Sequence, residues 1–418
     1  MRYIAAILLC FYLISGASAQ ETSGDSDRKS DSFFSDFSSR EYMTGDWGGA
    51  RERLIDWGLT PTATYSASIL GNPVGGIRKG IKYAGLLDVY LDFDLEKLLD
   101  IHGTRFVISG AWSSGKSLSL EDIGNFFIVS SDYNGNSVSL YQLYIETNLW
   151  GDRVKVAVGR MGIGDYFATA EVFEVYVSSS FDLNPISLTY NVPAFLSNPF
   201  AALGARLRVK PFDDFYIAAG VYSADPDAGR ILKTDVDFTF RNGVILISEV
   251  GYTPGSRAVS SGLRGDYKLG EYYDTVKSDR LSEGGRNQEG NYGFYLIMDQ
   301  MVYREQGAGS QGLTLWGTTT YAPQDEINTF PFFFSWGFVY EGVFSGRDND
   351  IAGFGFAYGR LSSALADKDY EIGFEGTYIF QVTPWLGIQP DVQFIVHPGG
   401  SGDIHNAFVA GMQLSVDI

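Results

Sequence analysis

Beyond residue 19 the chain has no cysteine and no apolar run of twenty residues, and it is short of cations and of histidine. Each shortage argues against a class of protein. Cys10 is the only cysteine and lies in the leader, so disulfide frameworks, thiol nucleophiles and cysteine-ligated metals fall away. Leu8 and Leu9 precede it where a lipidation signal places a small residue. Without a run of about 20 apolar residues no helix crosses a bilayer. Lys and Arg number 31 against 50 Asp and Glu, a formal charge of −19 that disfavours nucleic acid as a partner. His102, His397 and His405 are not spaced as ligands on a helix, and no Gly-x-Ser-x-Gly elbow is present. Neither a metal nor an organic cofactor is expected.

What the chain does have begins with an export signal. Arg2, the apolar stretch Ile4 to Ile14 and Ala17-Ser18-Ala19 read as a signal peptide over residues 1–19, cleaved before Gln20. Residues 20–43 are rich in Ser and Asp and poor in aliphatics, so mobility is expected, with Phe33, Phe34 and Phe37 able to seek a groove. From residue 44 to 418 no domain boundary stands out. Thr44 to Gly58 reads as one short amphipathic helix, with Asp46 to cap it and Gly58 to stop it.

The rest alternates. In Leu87 to Leu95 every odd position is apolar while Asp88, Tyr90, Asp92 and Asp94 take the other face. Ala205 to Lys210 points Arg206, Arg208 and Lys210 one way, and Val154 to Val158 does the same for Lys155. Gln142, Tyr144 and Glu146 share a face, as do Glu371 and Glu375, and Gln389, Asp391 and Gln393. Phe408 to Ile418 alternates through to the last residue, and an apolar strand at a terminus needs a neighbour on both edges. Closure into a barrel supplies both. The expected fold is all-β, a transmembrane antiparallel β-barrel of about 16 strands at roughly 10 residues per tilted strand, preceded by the short helix. Gly 50, 15% aromatic and 19% charged residues fit that class, since aromatic rings gather at both membrane interfaces. Asp274 to Asn291, with mixed charge and Gly284-Gly285, is the expected long external loop.

Gly110-Ala111-Trp112-Ser113-Ser114-Gly115-Lys116-Ser117 matches the phosphate-loop pattern to the letter. A phosphate loop opens directly into a helix whose amides meet the phosphates, whereas the following residues reach Gly124 too soon. It is read as a chance match. Carboxylate pairs such as Asp92 and Asp94 would suit a glycosidase only at about 5 to 9.5 Å, and in so acidic a chain strand parity explains them better.

Thr44-Gly45-Asp46-Trp47-Gly48-Gly49-Ala50-Arg51, Gly75 to Gly80, Asp94 to Leu98, Tyr295 to Tyr303, Gly346 to Asp350, Thr383 to Gln393 and His397 to Gly400 form ordered blocks over most of the chain. In them the sequence resembles the carbohydrate-selective porins, the OprB family of Gram-negative outer membranes. The resemblance implies a 16-strand barrel that passes monosaccharides and related small sugars by passive diffusion, with basic and aromatic groups at its constriction. Ile418 stands where the family closes on an aromatic residue, and His397 where it shows Asn.

Strand parity nominates Arg206, Arg208 and Lys155 as donors to sugar hydroxyls, Asp92 and Glu146 as acceptors, and Tyr90 as a stacking face. Arg78 and Lys79 join them through the resemblance alone. Arg160 shares the lipid-facing parity of Val158 and reaches the lumen only past a strand end or bulge. The expected partners are small sugars, outer-membrane lipid and lipopolysaccharide, and the assembly machinery, with monomer and homotrimer both open. A general small-solute channel is the nearest alternative. A barrel-embedded enzyme lacks a convergent acid, base or nucleophile, and a soluble carbohydrate-binding protein would need a core for every apolar face.

Overall fold

A computed structural model describes residues 36–225, 240, 242–255, 262–282, 287–305 and 311–418. The signal-peptide reading and residues 20–35 lie outside the described residues, as do Gly284 and Gly285. Sixteen antiparallel strands close into one barrel, each bonded to its sequence neighbours and β16 (His405–Asp417) to β1 (Leu59–Gly76). The closing pair runs from Thr64 opposite Asp417 to Gly71 opposite Ala410, so the terminal alternation is spent on closure. Phe408 and Met412 point outward to lipid, while Ala407 and Val409 are buried inside.

The start of β1 and the end of β16 lie at one end of the barrel, where residues 150–153, 213–214 and 384–385 turn tightly. The other end carries 116–136 and 162–201, and long loops mark the external side of such barrels. Helix α1 (Ala50–Trp57) packs beside β1 at the short-turn end. Its start is capped by no side chain; the backbone oxygen of Asp46 takes the amides of Gly49 and Arg51 instead, so the expected Asp46 cap is replaced by a main-chain one. Its stop is as expected: Gly58 has φ 111°, a left-handed conformation that glycine adopts without strain, and returns its amide to Leu54 and Ile55. Arg51 is buried between the Tyr42 and Trp47 rings and donates to the Ile418 carbonyl at 3.0 Å, tying the segment before the barrel to the end of the chain. Phe37 meets Trp385 edge-on at 4.8 Å, the groove that the sequence anticipated for one of its three N-terminal phenylalanines.

Two expectations need correction, and one reading holds. Asp94 leaves the lumen to cap helix α2 (Leu95–Leu99), accepting the amides of Glu96 and Lys97 at 3.0 and 3.2 Å. Asp274 to Asn291 is half strand, because β9 (Gly265–Ser278) and β10 (Gln288–Arg304) pair up to Ser278 opposite Gln288 and leave 279–287 as the connection. Among the described residues the long loops are 116–136 and 162–201, and both fold inward. Gly110 to Gly115 lies in β3 (Thr104–Gly115) and is followed by one short π-turn, Ser119–Ile123, so the phosphate-loop match has no helix behind it.

The hydrophobic core therefore sits inside the barrel. Phe173, Tyr176 and Phe181 of loop 162–201 crowd around Trp316 of β11 (Gly312–Tyr321), with ring centroids 5.4 to 5.9 Å away. Phe127 of loop 116–136 and Phe330 lie over β13 (Ile351–Arg360), whose inner face is Gly353, Gly355, Ala357 and Gly359. A Cβ at Gly359 would stand 2.7 Å from the Phe330 ring, so the small residues make the seat for the loops.

Candidate functional site: an ionic ladder on the lumen wall

The loops pack against most of the inner wall, and a charged stretch remains where only Asp165 and Tyr166 of loop 162–201 reach it. Strands β2 (Ile81–Asp94), β3, β4 (Ser137–Leu149), β5 (Val154–Met161) and β6 (Ala202–Phe212) carry it. Their register sets Arg105 opposite Glu146, Glu146 opposite Ala157, and Ala157 opposite Arg206. Ala157 presents only a methyl group, so the Arg206 guanidinium reaches across it to pair with the buried Glu146 carboxylate. Arg105 pairs with the other Glu146 oxygen at 3.0 Å and with Asp92 at 3.0 Å, completing a run of Asp92, Arg105, Glu146 and Arg206 over adjacent strands. Arginine suits this place because its planar fork serves two carboxylates at once.

Tyrosine faces flank the ladder. The Arg206 guanidinium lies 3.7 Å above the Tyr166 ring and that of Arg208 lies 4.1 Å above Tyr216. Tyr166 in turn meets Tyr144 edge-on at 6.3 Å. With a register shift between Ile108 and Gly110, β4 bulges, and Tyr141 and Gln142 both reach the carboxylate of Asp165, the latter at 2.6 Å. Burial pushes the Asp165 carboxyl above the ordinary carboxylate range, against the pull of those two hydrogen bonds. Tyr90 stands edge-on to Tyr141 at 6.3 Å. A cavity of about 200 Å³ opens here, lined among others by Tyr166, Arg206, Arg208, Tyr216, Asp266 and Lys268.

Of the eight residues nominated from sequence, Asp92, Glu146 and Arg206 share the ladder, Tyr90 and Arg208 border it, and Lys155 stands directly opposite Arg208. Arg78 and Lys79 do not join them. They occupy the 77–80 turn at the opposite end of β2 from Asp92, where Arg78 binds Asp122 at 2.6 Å and Lys79 is exposed. Asp122 also takes Lys82 at 3.2 Å, and these cationic hydrogen bonds outweigh burial to hold its carboxyl below the usual range. Arg78 is thus a clamp on loop 116–136. Arg160 is buried and donates to the Leu140 and Tyr141 carbonyls at 3.0 and 3.1 Å, beside the bulge.

Arg105 escaped the sequence reading because Val107, its lumen-side neighbour, is apolar and breaks the polar alternation of β3. Its signal was the conflict between Phe106 and Ile108 on one parity and Arg105 and Ser109 on the other. Asp165 and Tyr166 come from loop 162–201, and no strand period reaches them.

The grip of the loops uses carboxylates. Glu371 accepts the amides of Phe126, Phe127 and Gly399 at 3.0, 2.6 and 2.7 Å. Glu375 accepts those of Val177 and Ser178 at 2.7 and 3.1 Å. Glu249 accepts the Ala168 amide at 3.1 Å and the Tyr216 and Tyr295 hydroxyls at 2.6 and 2.8 Å. Glu371 and Glu375, read from parity as lumen-facing, do face inward, yet they bond main-chain donors, with Asp391 also beside Glu375.

A profile described as carbohydrate-selective porin, OprB family, matches residues 78–417. Porin B of Pseudomonas aeruginosa is 26% identical over 90% of this chain and 90% of its own length. The high-pH structure of Pseudomonas putida OprB superposes with a TM-score of 0.84 at 25% identity, covering 91% of this chain and 99% of that one. The outer membrane channel DcaP of Acinetobacter baumannii, 7% identical with a TM-score of 0.53 over 86% and 97% of the two chains, shares the fold. With its closed barrel, inward loops and charged lumen wall, the chain belongs to the carbohydrate-selective porins of the OprB family and acts as a sugar porin of the outer membrane.

Proposed function

We propose that the ionic ladder is the selectivity element, and that monosaccharides and related small sugars pass it by passive diffusion without any bond being made or broken. The observation that carries this reading is the placement of paired arginines and carboxylates beside tyrosine faces along one charged wall. A sugar sheds part of its hydration to pass. Asp92 and Glu146 accept its hydroxyl protons, Arg105, Arg206 and Arg208 donate, Lys155 adds a further cation, and Tyr90 and Tyr166 offer faces to its C–H bonds. Each contact is weak and has a neighbour of the same kind one strand away, so the sugar moves on rather than stalls. Arg78 and Lys79 act at the external rim. Lipid and lipopolysaccharide surround the apolar outer face, and outer-membrane assembly factors insert the barrel.

The test is sugar flux in proteoliposomes. Replacing Arg206 and Arg208 together by Ala is expected to change glucose flux and to shift ion preference toward cations, while heat-modifiable gel mobility stays as in the unaltered protein. Leu207→Ala, on the lipid face between them, is expected to leave ion preference as it was. Unaltered flux and ion preference in the double variant would place the selectivity element elsewhere.

A further inference from the structure

Below the ladder, toward the short-turn end, the lumen wall changes character. Arg105 and Arg206 are neutralised by Asp92 and Glu146, and Lys268 by Asp266 at 2.9 Å. The next inward positions on β5 and β6 are Lys155, Arg208 and Lys210. Lys155 stands directly opposite Arg208, and Lys210 follows Arg208 by two residues on the same face. Among the described residues none of the three side chains forms an ion pair, although the chain carries a formal charge of −19. Like charges set directly across a strand pair destabilise the sheet, so an unneutralised column at this place needs a use other than stability.

Arg208 shows what the column offers. Its guanidinium lies on the Tyr216 ring at 4.1 Å, which occupies one face, while its Nε is buried without a hydrogen-bond acceptor. It borders the cavity of about 200 Å³ that Arg206, Lys268, Asp165 and Asp266 also line. A planar fork held flat on a ring and lacking an acceptor suits a carboxylate.

Resting on the sugar-porin reading and deepening it, we infer that the column of Lys155, Arg208 and Lys210 is a subsite for carboxylated sugars, the aldonates and uronates, which this pore passes alongside neutral ones. The ring or chain hydroxyls meet Asp92, Arg105, Glu146 and Arg206 as those of a neutral sugar do. The carboxylate is then drawn onto Arg208 and released toward the periplasm past Lys155 and Lys210. The nearest carboxylates are Asp266, which pairs with Lys268 at 2.9 Å, and Asp152 in the turn beside Lys210; neither forms an ion pair with the column, whereas the ladder above it holds no spare cation.

The experiment compares D-gluconate and D-glucuronate with D-glucose in proteoliposomes containing the full barrel. The unaltered protein is expected to pass all three, with a gluconate-to-glucose flux ratio that declines as salt is raised, because screening weakens the column. In a Lys155→Gln, Arg208→Gln, Lys210→Gln variant that ratio is expected to fall by about tenfold, the range over which charged walls concentrate ions. Arg208→Lys, which keeps the charge and loses the fork, is expected to lie between the two. Should the triple variant fail to assemble, as judged by heat-modifiable mobility, the salt dependence of the unaltered protein and the Arg208→Lys ratio still decide. Exclusion of gluconate by the unaltered protein while glucose passes, or an unchanged ratio in the assembled triple variant, overturns the subsite and leaves the sugar porin standing. Failure of glucose itself to pass overturns the reading beneath it.

Discussion

The wall from β2 to β6 and the wall from β11 (Gly312–Tyr321) to β15 (Leu386–Val396) are built from the same strand alternation, yet their inward polar residues do different work. On the first, Asp92, Arg105, Glu146 and Arg206 bond one another side chain to side chain and face the passage. On the second, Glu371 and Glu375 bond loop amides, Gln389 and Gln393 donate to the Val175 and Val129 carbonyls at 2.8 Å each, and glycine and serine fill the gaps. Where loops meet the wall, its polar groups satisfy main chain that would otherwise be buried without partners. On the ladder wall loop 162–201 brings only the Tyr166 ring and the Asp165 carboxylate, and charge is left for a solute. The passage is thus defined as much by which part of the barrel is filled as by which residues line the rest.

The sharpest way to break that contrast is to release the loops. Glu371→Ala with Glu375→Ala removes the acceptors of five amides, each costing about 1–3 kcal/mol if left without one, so the loops are expected to leave the wall. Single-channel conductance should rise and sugar discrimination collapse; conductance like that of the unaltered protein would show that packing alone holds the loops. On the opposite wall, Arg105→Ala leaves Asp92 without its partner and Glu146 with Arg206 alone. A barrier change of about 1 kcal/mol, hence roughly fivefold lower glucose flux, is expected together with a shift toward cations.

A smaller effect tests the seat of the loop. Trp316→Phe removes the indole donor to the Tyr176 hydroxyl, now 2.7 Å away, and should lower the temperature of heat modification by the equivalent of about 1 kcal/mol without altering ion preference.

Least in size but specific in sign is the pH dependence at Asp132. This loop carboxyl accepts Ser66 and Gln413 at 2.6 and 2.9 Å, and burial raises its pKa despite both bonds. A carboxyl raised on folding adds stability that is full below its unfolded pKa of about 4 and is lost as pH climbs through the raised value. Asp132→Asn is therefore expected to gain on the unaltered protein as pH rises above that range, seen as a growing difference in the midpoint of heat modification. A constant difference across pH would place the cost in packing instead.

The barrel itself was legible in the sequence because closure and lipid impose period two on every strand, and the resemblance to a known family pointed the same way. Asp92, Glu146 and Arg206 were readable for that reason. What parity hides is a residue whose neighbours break the alternation, as Val107 does for Arg105, or one that leaves the strand, as Asp94 does to cap α2. Parity is blind also to what lies against the inner face. The run Val175-Tyr176-Val177 has the composition of a strand, and only three-dimensional context puts it across the lumen on Glu375. The inner glycines of β13 were visible as glycines, but their purpose follows from the Phe330 and Phe181 rings that rest on them.

Thiol labelling of two introduced cysteines, in a background where Cys10 is replaced, tests the division of the wall most directly. Arg208→Cys borders the open cavity, while Ser335→Cys lies on the inner face of β12 (Phe332–Glu341), buried. A water-soluble methanethiosulfonate reagent is expected to react at position 208 and reduce the current through single channels, and to leave position 335 unmodified. Rapid labelling at 335 with none at 208 would contradict the account, because the passage would then run along the wall that the loops are held to close.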